Sequence, residues 1–129
     1  MDRSKTLEEL DGQRWDDPPA DSTGLIKDVH RLRRIPVEDL TDDDTRLLLL
    51  QNVGSDWLVE VALDRLTDDP MAGDLYPGDL LHAVLETQAG YWDSHPDQLM
   101  RLWDVRQTVA GLEHDVKKVL ADENWPAFG

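Results

Sequence analysis

TDDDTRLLLLQNVGSDWLVEVALDRL, residues 41–66, reads as two helices separated by a short break. Thr41 is a good N-cap, and Asp42, Asp43 and Asp44 fill the first turn that follows. Carboxylates there complement the positive end of a helix, each by roughly 0.3–1 kcal/mol. The helix continues through Arg46 and the apolar run Leu47–Leu50 and is expected to stop near Gly54, a natural C-terminal residue. Ser55 or Asp56 caps the second helix, which runs to about Leu66 on the apolar spacing of Leu58, Val61, Ala62 and Leu66. Asp56, Glu60, Asp64 and Asp68 recur every fourth residue and form one acidic stripe along it. Like charges at that spacing repel by about 0.2–0.5 kcal/mol per pair. A solvated face accounts for the stripe; so does a surface kept for a basic partner.

On the N-terminal side, Ser22 caps a helix reaching to about Arg34. Leu25, Ile26, Val29 and Leu32 give it an apolar face, and Lys27, Arg31, Arg33 and Arg34, the one basic cluster of the chain, lie on the other. Pro36 opens a short turn through Leu40. Residues 1–21 are polar, contain Pro18-Pro19, and offer only Leu7, Leu10 and Trp15 as sizeable apolar side chains. They read as an irregular arm that Trp15 can dock. On the C-terminal side, Pro70 and Gly73 break the helical pattern, and Tyr76-Pro77-Gly78-Asp79 turns the chain into a helix from about Pro77 to Glu86. Tyr91-Trp92 suit a short packed turn. His95 stands where it can cap the last and longest helix, which Pro96 opens and which runs to about Leu120. Leu99, Leu102, Trp103, Val109, Leu112, Val116, Val119 and Leu120 trace its buried face. No segment alternates apolar and polar residues between hairpin turns. The fold class is therefore all-α: a single compact domain of five to seven helices, with an irregular arm over 1–21 and the helical domain over 22–129.

The length of 129 residues suits one domain with a core of its own. The absence of cysteine excludes disulfides and thiolate metal sites and suits a reducing compartment. The N-terminal MDRSKTLEELDG lacks the apolar core of a signal peptide, and Leu47–Leu50 is far short of a membrane span. A soluble, monomeric cytoplasmic protein is expected. The net charge is −15, and twelve acidic residues against two basic ones lie between Pro36 and Asp79. Such a surface repels nucleic acid and anionic membranes and suits a basic protein partner.

Little in the chain supports catalysis. None of His30, His82, His95 and His114 pairs with another at helical spacing, so no metal clip of the HExxH kind exists. His82 and Glu86 are four apart, which an ordinary surface contact explains. Ser22, Ser55 and Ser94 sit where helices begin and are better read as caps than as nucleophiles. There is no phosphate-cradling glycine motif. No catalytic residue, cofactor or metal ligand is assigned. Trp57 reads as a core anchor or as a half-exposed interface aromatic, and Tyr76 as a ring flanked by Asp74 and Asp79.

The strings Leu32-Arg33-Arg34-Ile35-Pro36, Asp39-Leu40-Thr41, Arg46-Leu47-Leu48, Val61-Ala62-Leu63 and above all Asp74-Leu75-Tyr76-Pro77-Gly78-Asp79-Leu80-Leu81 follow in a familiar order. With Lys5-Thr6-Leu7-Glu8-Glu9-Leu10 and Pro18-Pro19 upstream, the chain resembles the immunity proteins of bacterial contact-dependent growth inhibition (CDI) systems over roughly residues 5–95. Where that family usually reads Gly-Gln-x-x-Gly, this chain has Gln51-Asn52-Val53-Gly54. The resemblance implies a cytoplasmic, non-enzymatic protector. It would bind the C-terminal toxin domain of a cognate effector, often a basic nuclease, and occlude its active site. The residues expected at that interface are Asp42, Asp43, Asp44, Asp56, Glu60, Asp64, Asp74, Tyr76 and Asp79, with Trp57 as an anchor. The alternative is an acidic helical adaptor or regulator of another basic protein, and a third reading is a metal-dependent hydrolase using His82, Glu86 and the Asp cluster.

Overall fold

The computed structural model describes residues 1–111 and 124–127. Among them stand seven α-helices, one 3-10 turn (Val37–Asp39) and no strand, apart from a single antiparallel bridge between Thr6 and Pro36. The all-α expectation holds.

Helix α1 (Leu7–Asp11) lies inside the arm expected to be irregular. Thr6 and Glu9 close a reciprocal capping box, with each side chain accepting from the other's backbone N–H at 3.2 and 3.1 Å. Leu7 is 0 % exposed, so the arm feeds the core itself. From Gly12 to Pro19 it has no regular structure. Helix α2 (Gly24–Leu32) is capped by Thr23 rather than Ser22 and buries only Val29 and Leu32, leaving Leu25 and Ile26 exposed.

Helix α3 (Asp42–Leu50) begins at the expected Thr41 cap, but Gly54 does not end it. Asn52 takes the left-handed conformation at φ 55°, its N–H donates to the Leu49 carbonyl at 3.0 Å, and that of Val53 to the Leu48 carbonyl at 2.9 Å. This pair of bonds is a Schellman ending with asparagine in the usual glycine place. Gly54, at φ 73°, is instead the residue before α4 (Ser55–Asp68) and supplies no side-chain cap, so neither Ser55 nor Asp56 caps that helix. A Cβ at Gly54 would lie 2.8 Å from Leu7 Cδ1, which makes glycine necessary there twice over.

Helix α4 packs against α3, against α5 (Asp79–Leu85) and against α7 (Pro96–Ala110). Its buried Leu58, Val59, Val61, Ala62, Leu63 and Leu66 cover most of its circumference. Helix α5 is similarly enclosed, starting at Asp79 after Gly78 rather than at Pro77. Tyr91-Trp92, read as a turn, lie in helix α6 (Ala89–Asp93). His95 occupies the residue before α7 but makes no cap; its ring stacks on Tyr91 at 3.9 Å and its Nδ1 lies 2.7 Å from the Tyr91 carbonyl oxygen. The stretch expected to extend that helix to Leu120, with Leu112, His114, Val116 and Val119, lies outside the described residues.

The basic cluster is largely an internal clasp. Arg33, 2 % exposed, donates to Asp11 at 2.8 Å and to the Gln13 carbonyl at 2.7 Å, and its guanidinium lies 4.1 Å from the centre of the Trp15 ring. Arg34 donates to Glu8, Asp17 and the Trp15 carbonyl. Burial would raise the Asp11 carboxyl, but the hydrogen bonds from Arg33 and Gln13 and the Arg33 charge outweigh it and hold the group below its ordinary value. The arm is thus folded onto α2 and the α3–α4 turn. Truncating Leu7 to alanine is expected to cost about 2–5 kcal/mol in denaturant unfolding, as for other core leucines; a loss under about 0.5 kcal/mol, typical of a surface change, would contradict the arm's place in the core.

Candidate functional site

All but Asp64 of the acidic residues expected at one interface fall into two groups at opposite ends of α4, about 20 Å apart by helix rise. The first surrounds the start of α3. Asp44 closes a capping box with Thr41, Asp43 accepts from Arg46 at 2.9 Å, and Asp42 accepts from Arg65 at 3.1 Å. Asp74 Oδ2 accepts from the Asp43 backbone N–H at 3.2 Å and ties the loop 73–78 to this corner. The triplet is therefore an ordered helix start rather than a freely solvated cluster.

Asp79 belongs to this corner but not to its surface. It is 1 % exposed, and Oδ2 accepts from the backbone N–H groups of Leu75 (2.9 Å) and Tyr76 (3.4 Å), with Arg46 Nε at 3.9 Å. The carboxylate holds the loop from beneath. Leu75 and Tyr76 above it are 65 % and 51 % exposed, so the loop presents a rigid apolar tip. The sequence pointed to Tyr76; Leu75 went unnoticed because a leucine is ordinarily assigned to the core. Gly73 lets the loop close: a Cβ there would collide with the Asp79 carboxylate and the Tyr76 carbonyl.

The second group opens α4. Asp56 is exposed, Glu60 lies one turn on, and neither has an ion-pair partner among the described residues. Trp57 packs one edge on the core and lines a cleft of about 350 Å³ with Asn52, Asp56, Thr87, Gln88 and Tyr91. Burial first, then the charges of Asp56 and Glu60, push the Tyr91 hydroxyl up to about 12, against a lowering by its bond to Gln98. Both carboxylates therefore act on this cleft. Tyr91 was missed as a site residue; its distance in sequence from Trp57 hides that α6 folds back on the α4 start.

Asp64 departs from the acidic stripe. Arg3 and Arg101 both donate to it, the latter at 2.5 Å, so it joins the arm, α4 and α7. Burial raises its carboxyl, yet the two guanidinium groups hold it below its ordinary value. The stripe is continuous in sequence and interrupted in space. His82 Nε2 lies 3.5 Å from Glu86, which also accepts from Asn124. Among the described residues no group of three or more His, Asp or Glu could hold a metal ion, and no helix is long and apolar enough to cross a membrane.

Replacing Gly73 by alanine is expected to destabilise the protein by about 1–3 kcal/mol through overpacking against the Asp79–Tyr76 network, read by denaturant unfolding; a neutral substitution would contradict the loop geometry. No curated protein and no solved structure matches the chain. The family model of the CDI immunity proteins matches residues 9–102, a span that includes α2 to α6, both acidic groups and the loop over Asp79. The protein therefore belongs to the CDI immunity proteins, the family whose members neutralise a cognate toxin.

Proposed function

We propose that the protein neutralises its toxin by laying its acidic surface over the active site or substrate groove of the toxin's C-terminal domain, and that this domain is a basic nuclease. Inhibition is stoichiometric occlusion without chemistry. A nuclease must hold phosphates and is basic where it does so, and an acidic surface offers it a rigid polyanion in place of substrate.

The observation that supports this reading is how the two cations of the acidic stretch are spent. Arg46 pairs with Asp43 and stands beside Asp79, while Arg65 donates to Asp42 and to the Leu40 carbonyl. Both are drawn into the α3–α4–α5 framework, so neither neutralises Asp56, Glu60 or Asp68. The field of this face therefore projects outward. The contact residues on this reading are Asp42, Asp43, Asp44 and Asp74 around the Tyr76 loop, and Asp56, Trp57 and Glu60 at the start of α4. Asp64, tied to Arg3 and Arg101, and Asp79, buried beneath the Tyr76 loop, are left out of this contact set.

Substituting both Asp56→Lys and Glu60→Lys leaves every ion pair described above intact. The folded double variant is expected to associate with the cognate toxin domain at least about tenfold more slowly at low ionic strength, with a flattened salt dependence. Association at the unaltered rate, measured by stopped flow, would contradict the placement of the interface.

A further inference from the structure

We propose that the cleft between the start of α4 and α6 is a receptor for one arginine side chain of the toxin, held by Asp56 against Trp57 and Tyr91. This rests on the reading of the protein as an acidic toxin cover and names the chemistry at one point of that cover.

Four features of the cleft converge on a guanidinium. Its volume of about 350 Å³ falls at the small end of ligand clefts, enough for one long side chain rather than a folded segment. Two partly buried aromatic rings, Trp57 and Tyr91, line it, and tryptophan and tyrosine faces attract cations, most often arginine. Asp56 stands at it with no ion-pair partner among the described residues, and Glu60 adds its charge from one turn away. The effect of both carboxylates on the Tyr91 hydroxyl places their field in the cleft. Finally, Thr87 lines it, is only 8 % exposed, and has a buried Oγ1 with no hydrogen-bond partner. A buried hydroxyl without a partner costs free energy that an incoming N–H can recover.

The polar lining also separates arginine from lysine. Beyond Asp56, the lining residues that carry side-chain acceptors are Gln88, Thr87 and Asn52, whose Oδ1 also accepts from the Ser55 hydroxyl. A planar fork of five N–H donors can serve several of them while its face lies on an aromatic ring; an ammonium has three donors on a flexible stem and no planar face to stack. No cation among the described residues fills the role. Arg33 lies over Trp15, and Arg106 lies over Trp103 and Trp125, so the chain builds guanidinium–aromatic contacts elsewhere; among the described residues neither Trp57 nor Tyr91 carries one, His95 being stacked on one face of Tyr91.

The test needs no toxin. N-acetyl-arginine amide and its neutral isostere N-acetyl-citrulline amide are titrated into the full chain, and the Trp57 indole and Gln88 side-chain amide signals are followed by NMR. The arginine probe is expected to shift both signals saturably in the millimolar range, and the citrulline probe at least about tenfold more weakly, the ratio a single charge-assisted contact supplies. Asp56→Asn, at an exposed position, should remove the difference between the two probes, and Glu60→Gln should reduce it; Asp28→Asn, on α2, should leave it unchanged. Equal shifts by both probes, no saturable shift, or a difference indifferent to Asp56→Asn would overturn the proposal. Those failures would leave the acidic-cover reading standing, because the charge-reversal experiment on the toxin reads association and not cleft occupancy.

Discussion

The close approach of Leu7 to Gly54 is the contact on which the rest of the molecule depends. Only a residue without Cβ, and tolerant of positive φ, fits between the Leu7 methyl groups and Leu58. Because Gly54 stands there, the N-terminal arm can close over the α3–α4 turn and deliver Leu7 to the core. The same residue leaves α4 without a side-chain cap. Its opening turn therefore carries Asp56 and Trp57 out toward the α6 cleft. One glycine thus joins the N-terminal arm to the start of the helix that carries the exposed Asp56.

The carboxylates divide by what they are bonded to rather than by where they fall in sequence. Asp11, Asp42, Asp43, Asp64 and Asp79 are bonded to arginines or to loop N–H groups and hold elements together. Each exposed pair contributes little, at most about 1 kcal/mol. Arg33 and Asp79 are different, because a buried charge that loses its partner is costly. Of the other acids, Glu8, Glu9, Asp17, Asp44 and Asp74 close caps, pairs or a loop, whereas Asp56 and Glu60 have no ion-pair partner among the described residues and set the surface potential. The acidity of this family member is thus part framework and part field, and the framework engages both cations of the acidic stretch.

Helix spacing, the Thr41 cap and the all-α class were legible in the sequence because each rests on local rules: apolar periodicity, capping chemistry and the absence of strand alternation. Three features were not. The arm looked irregular because its helix is short and its stabilising partners, Gly54 and Arg33, are distant in sequence. Gly54 looked like a helix end, but Asn52 took that role one Schellman turn earlier and left the glycine to face Leu7. The partners of Asp64 were hidden because four-residue spacing gives a face of a helix and does not say what lies against it, and the burial of Asp79 because it follows from how its own loop folds over it. In the candidate site, Asp56, Trp57 and Glu60 were found from the α4 pattern, whereas Tyr91 and Leu75 emerge only once α6 and the Gly73 loop are folded.

The most direct test of the account is calorimetric titration of the full chain with the C-terminal toxin domain of the effector encoded beside it, at two salt concentrations. Tight one-to-one binding that weakens as salt rises is the predicted result, since an outward acidic field acting on a basic active site is screened by ions. Tight binding indifferent to salt, or no binding, would contradict neutralisation through the acidic surface.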